Sequence, residues 1–165
     1  MRRAAAFFLA LASAAPALAA YDANGVALGG NENDIKKRFP SAYCKPLEWK
    51  SRAADRRCDD AKISLGGIPA RVTFYLRKDA IQAFDVRFET KELDRMMSLL
   101  RARYGAPASE VKEPIGKSGE PVRDLYNVRW EKGGDHAVLT AQLDKPRASL
   151  LVSRGNFDEE IYRVR

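Results

Sequence analysis

An α+β fold, an antiparallel sheet of hairpins with helices packed on one face, is what this sequence predicts, and three observations carry it. Segments such as Arg71-Val-Thr-Phe-Tyr-Leu76 alternate apolar and polar residues between glycine-bearing turns, the period of half-buried strands. Leu93, Met96, Met97, Leu100 and Tyr104 recur at helical spacing. The strand-like segments also come in runs beside the helix-like ones, which describes antiparallel layers and not a parallel doubly wound sheet.

Taken in order, the chain opens with Arg2-Arg3, an apolar Ala, Leu and Phe run, and an Ala17-Leu18-Ala19 triplet. This is the three-part layout of a secretory signal peptide, expected over residues 1–19. The apolar run is shorter than the roughly 20 residues a membrane span needs, so no integral span is expected after cleavage. Residues 20–165 then form a single α+β domain, exported to the periplasm or secreted. Asn24-Gly25 and Gly29-Gly30 mark turns in a short arm or edge strand. A short helix follows at Asn31–Arg38: Asn31 or Asn33 caps it, acids sit in its first turn and bases in its last, and Pro40 ends it.

Cys44 and Cys58 are the only cysteines, and an even pair in an oxidising compartment predicts one disulfide. Thirteen intervening residues do not suit a Cys-x-x-Cys redox motif. A metal site lacks its further ligands, because the single histidine, His136, is remote in sequence; neither a metal nor another cofactor is expected. Beyond the bridge come strands at Ala61–Leu65, Arg71–Leu76 and Ile81–Phe88. Thr90 is expected to cap the helix that Gly105 and Pro107 end. A polar, proline-bearing loop runs from Pro107 to Val122, then strands at Leu125–Glu131, Ala137–Leu143 and Ala148–Ser153 precede a final helix with Asn156 at its start and Phe157, Ile161 and Val164 on one face.

Landmarks in the two halves repeat at separations of about 65 to 67 residues: Arg38-Phe39-Pro40 with Arg103-Tyr104-Gly105, Gly66-Gly67 with Gly133-Gly134, Phe84 and Val86 with Leu150 and Val152. Two readings stand side by side. One is a duplication of helix-plus-three-strand units, residues 31–88 and 90–153; the other is the coincidence that any chain of alternating strands produces.

With the phrases LGGNENDIKKRFP and LLRARYGAP at the helix ends and the export signal, the doubled helix-then-meander unit resembles the small bacterial envelope proteins of the BamE/SmpA and β-lactamase-inhibitor-protein-like group. The resemblance implies a helical layer on an antiparallel sheet and a noncatalytic role, binding a protein or scaffolding an assembly in the cell envelope. The N-terminal lipid-bearing cysteine usual in BamE-type proteins is absent.

The formal charge is +7, with Arg2 and Arg3 in the leader. Between Lys36 and Arg57 eight bases face only Glu48 and Asp55, a concentration that attracts acidic partners. Export argues against nucleic acid and leaves an acidic protein or an anionic envelope component. The binding candidates are therefore Trp49, Lys50, Arg52, Arg56 and Arg57. Trp49 reads either as the aromatic anchor of an interface or, beside Leu47, as satellite core over the sheet edge.

Catalytic residues are not expected. His136 reads as an exposed residue at a hairpin tip. Asp59 and Asp60 are adjacent on an extended chain and point apart, pairing with Arg56 and Arg57. Phosphate-loop, His-Glu-x-x-His and Gly-x-Ser-x-Gly motifs do not occur. A binding or adaptor protein is the primary expectation, and a small periplasmic hydrolase the alternative.

Overall fold

A computed structural model describes residues 21–163 other than 117 and 119–122. The expected leader over residues 1–19 and Val164 of the final helix lie outside the described residues.

The expected arm is a small hairpin of β1 (Asp22–Ala23) and β2 (Val26–Ala27), closed by Asn24 and Gly25, both at positive φ. The first helix, α1 (Glu32–Arg38), starts with a capping box: Asn31 accepts from the Asp34 backbone N–H, and Asp34 accepts from that of Asn31. Ile35 is its one buried residue, and Phe39 follows it into the core.

Eight strands form one antiparallel sheet: β3 (Tyr43–Pro46), β4 (Arg56–Leu65), β5 (Ile68–Arg77), β6 (Ala80–Glu89), β7 (Ser109–Ile115), β8 (Arg123–Lys132), β9 (Asp135–Gln142) and β10 (Arg147–Arg154). Their spatial order is β3-β4-β5-β6-β10-β9-β8-β7. Two four-stranded meanders therefore meet through their last strands, with Phe84 opposite Val152 and Val86 opposite Leu150.

Each meander has one strand more than the sequence suggested. The outer strand β3 carries Cys44 itself, at the start of the cysteine-bounded stretch, and β7 lies inside the polar stretch after Pro107. Both carry a proline and few apolar residues, which suits an edge with one partner and conceals it from a pattern search.

Between the meanders, a 3-10 turn (Thr90–Glu92) leads into α2 (Leu93–Tyr104). Thr90 does not cap this helix; its hydroxyl donates to the Lys145 carbonyl oxygen, 2.6 Å away, tying the entry to the turn before β10. Met96, Met97 and Leu100 are buried, as their spacing predicts. Gly66 is favoured as glycine by its φ of +58°, and a Cβ there would meet the Leu99 side chain at 2.7 Å, so that Leu99 would have to shift.

The main core lies between the sheet and α1 and α2. Phe74 packs between Phe39 and Phe84, and Tyr104 between Tyr21 and Trp130. The Trp130 indole N–H donates to the Gly105 carbonyl oxygen at 3.0 Å, which satisfies its polar atom at the helix end.

The third helix departs from expectation in extent and place. It is one turn, α3 (Phe157–Glu160), without a side-chain cap from Asn156, and it packs on the opposite face of the sheet. The helices thus do not all share one face. Among the described residues no helix is long and apolar enough to cross a membrane.

Candidate binding face

Cys44 and Cys58 are direct cross-strand partners on β3 and β4 and form a disulfide. Cys58 is fully buried in the main core, and Cys44 packs against it. The chain between them wraps around the sheet edge and lies on the other face. There Ala53, Ala54, Ala83, Phe157 and Ile161 form a second buried cluster, with Leu47, Trp49, Tyr75 and Leu151 packed against it. Hydrogen bonds fix this shelf to α3 and to strand β5: Trp49 Nε1 donates to the Ile161 carbonyl oxygen at 2.9 Å, Ser51 Oγ to that of Glu160 at 3.2 Å, and the Asp55 N–H to that of Leu76 at 2.8 Å. The bridge is rooted in one core, and the loop it closes covers the other.

Trp49 is half-buried and stacks on Tyr162, which is 75% exposed, with centroids 5.9 Å apart. The indole thus sits in the satellite core and carries an aromatic ring on its outer side.

The predicted basic residues do not converge. Strand alternation sends Arg56 to the helix side, where it donates two hydrogen bonds to Glu32 at 2.9 and 3.2 Å. Arg57 goes to the open side and makes a two-bond pair with Asp59, at 2.8 and 2.9 Å. Asp60 is buried, accepting from Ser41 Oγ at 2.7 Å and from the Lys62 N–H at 3.1 Å, so of the expected pairings of Asp59 and Asp60 with Arg56 and Arg57 only Asp59–Arg57 forms. Lys50 is exposed, Arg52 reaches Glu160 at 4.0 Å, and Lys45 pairs with Glu48.

The open face presents a different set. Beside the Trp49–Tyr162 stack lies a cleft of about 480 Å³, floored by Thr73, Tyr75 and Asp85 and flanked by Arg57, Arg71 and Arg87. Thr73 donates to Asp59 at 2.7 Å, and Arg87 Nε donates to Asp85 at 2.9 Å. Burial pushes Asp59 up, but hydrogen bonds from Arg57 and Thr73 outweigh it and hold the carboxyl below its ordinary range. For Asp85 the balance reverses: burial raises its pKa, and Arg87 and Arg71 offset this only in part. Burial likewise raises the Tyr75 phenol, with a further push from Asp85.

Of these open-face groups only Trp49, Arg57 and Asp59 were singled out from the sequence. Arg71, Thr73, Tyr75, Asp85 and Arg87 occupy the outward positions of alternating strands, a pattern equally produced by residues that only face water. Tyr162 lies beyond any strand and had no signal.

His136 is not an exposed tip residue. It is half-buried in β9, with its Nδ1 3.1 Å from Glu131 Oε2, and it stands directly across from Ser153 of β10. Acid, imidazole and hydroxyl thus share one row, yet Ser153 is only 3% exposed and makes no hydrogen bond to His136. A nucleophile must be both reachable and bonded to its base. Among the described residues the one grouping with metal-ligand spacing is Glu32, Cys44 and Cys58, within 4.8 Å of one another. Its sulfurs are joined in the disulfide and its carboxylate is engaged by Arg56 and by Lys36 at 2.6 Å. No protein-family model, curated protein or solved structure matches the chain.

Proposed function

We propose that the chain is an exported, noncatalytic binding or adaptor protein of the bacterial cell envelope, which recognises an acidic protein or an anionic envelope component through the open face of its sheet. The observation that carries this reading is the unequal cover of that face. The disulfide shelf and α3 close its β4–β6 end and reach Leu151 on β10, while outward residues Ser149, Val138, Thr140 and Asn127 stay half-exposed across β10, β9 and β8. A mixed aromatic, charged and hydroxyl surface of this kind, set on rigid strands, suits recognition better than turnover. The strand order, two meanders meeting through β6 and β10 with a helix before each, supports the duplication reading, with four strands to a unit.

The test uses the processed chain as bait against an envelope fraction, with two variants. Thr140→Arg places a bulky side chain in the middle of the open face, and Ser98→Arg places one on the outer side of α2. A partner retained by the wild type and by Ser98→Arg but lost with Thr140→Arg is the expected result. Equal retention by both variants sinks the reading, as does ester turnover by the purified chain that Ser153→Ala abolishes.

A further inference from the structure

Arg71 and Arg87 are direct cross-strand partners on β5 and β6. Side chains so placed have Cβ atoms about 5 Å apart, and like charges there destabilise the sheet. Sheets ordinarily place an acid across from a base, and no acid stands directly across from either arginine; one carboxylate, Asp85, two residues from Arg87 on its own strand, serves both. On β4 the register breaks between Asp60 and Ile63, so Arg71 faces a bulge. On the other side Arg87 stands across from Ser149, which stands across from Thr140, which stands across from Asn127.

Arg71 is exposed and makes no hydrogen bond or close ion pair among the described residues. Arg87 spends only its Nε, on Asp85, which leaves both terminal nitrogens free. Asp85 is the acid in contact with the pair; Glu89, the next outward residue on β6, is engaged by Lys91 at 2.5 Å. The row from Arg71 to Asn127 thus offers two guanidinium groups, two hydroxyls and an amide without a carboxylate of its own. A position that breaks a local rule with only partial internal compensation, here one carboxylate for two guanidinium groups, is where a ligand is to be sought.

We infer that Arg71 and Arg87 form an oxyanion site, with the Ser149 hydroxyl beside it, which takes a carboxylate or phosphate group presented by the partner. Two guanidinium forks on strands about 4.8 Å apart can each donate to a different oxygen of one planar or tetrahedral anion. Such a group balances the positive charge that Asp85 alone leaves over. This inference rests on the open-face reading and names its anchor.

The experiment follows the arginine Nε–Hε signals of the processed chain by NMR during titration with sodium phosphate and, separately, sodium acetate, each against sodium chloride of equal ionic strength. Selective shifts of Arg71 and Arg87 are expected. Arg71→Gln should weaken anion binding by roughly tenfold or more, and Arg71→Lys should restore only part of it, because an ammonium group lacks the bidentate fork. The melting temperature of Arg71→Gln should be equal to or above that of the wild type, since the substitution removes a like-charge pair.

Two further arms separate the sources of the anion. Vesicles containing phosphatidylglycerol report a lipid phosphate and poly-glutamate reports protein carboxylates, and loss of either through Arg71→Gln supports the site. Shifts no larger than chloride produces, or equal binding by wild type and Arg71→Gln, overturn it. A partner still blocked by Thr140→Arg in that event would leave the open-face reading standing without this anchor.

Discussion

The two faces of the sheet are made by the same strands and differ in almost every physical respect. On the helix side, alternate residues such as Val72, Phe74, Leu76, Phe84 and Val86 are buried against α1 and α2. On the open side, their immediate neighbours Arg71, Thr73, Tyr75, Asp85 and Arg87 line a polar cleft, where Arg87 bonds Asp85 and Thr73 bonds Asp59 and the shelf is the only cover. A two-residue period thus separates two tasks along one backbone. The closed face holds the fold, and the open face carries the polar and charged groups.

The largest expected effect comes from breaking the closed face. Phe74→Ala and Trp130→Ala should each cost about 3 to 5 kcal/mol, because each removes a fully buried aromatic ring that its neighbours cannot replace. Arg71→Gln, one strand position from buried Val72, should stay within about 0.5 kcal/mol of the wild type. Urea unfolding midpoints measure both. Comparable losses for core and open-face variants would mean that the open face is structural after all.

Next in size is the bridge that connects the faces. Replacing both Cys44 and Cys58 by Ser should cost about 3 kcal/mol, the value the chain-entropy model gives for a loop of this length, since the separation is 14 residues. The loss should be felt first where the loop lies, so amide exchange of Leu47–Asp55 and α3 should accelerate more than that of α2. Uniform acceleration over the molecule would show that the shelf is not a separate unit.

What was legible in the sequence divides along the same line. Helix and strand periods, caps and glycine turns are local, so Asn31, Gly105, the alternation of β5 and the stripe of α2 were readable from neighbours alone. The cysteine pair was readable because two thiols, with no third in the chain, have one simple pairing. Edge strands β3 and β7 were not, because a strand with one neighbour needs little apolar content. The basic cluster was misleading for a related reason: Arg56 and Arg57 are adjacent in sequence, and adjacency on a strand places them on opposite faces. The opposition of Arg71 and Arg87 depends on register between strands, which one strand's pattern does not contain.

Trp49 is a finer probe, because it sits on the boundary between cover and surface. Its indole packs on the second core and bonds to the Ile161 carbonyl oxygen. Trp49→Ala should lower stability by about 2 kcal/mol through lost packing and an unpaired carbonyl. As satellite core, Trp49 should leave retention of the partner intact. Weakened retention with an unchanged midpoint would instead identify it as the anchor of the interface.

The smallest effect sharpens the comparison through pH. Glu32, on the helix side, is held below its ordinary range chiefly by the Lys36 hydrogen bond, with Arg56 adding to it. A carboxyl lowered on folding contributes stability that is present above its unfolded pKa and is lost as pH falls through the folded value. Asp85, on the open side, is raised by burial, and its surroundings explain why: Arg87 on its own strand, Arg71 and Tyr75 on β5, Ser149 and Leu151 on β10, and Asp158 and Tyr162 at the third helix. A raised carboxyl has the opposite sign. It destabilises the fold once both states are ionised and ceases to do so as pH falls through its folded value towards its unfolded one. Asp85→Asn should therefore stabilise the protein slightly at neutral pH, with the gain fading in acid, whereas Glu32→Gln should destabilise it at neutral pH, with that loss fading in acid. Thermal melts of the two variants against wild type between about pH 3 and 7 measure both slopes. Parallel slopes of the same sign would mean that Arg87 and Arg71, not burial, dominate Asp85, and the open face would then be as well compensated as the closed one.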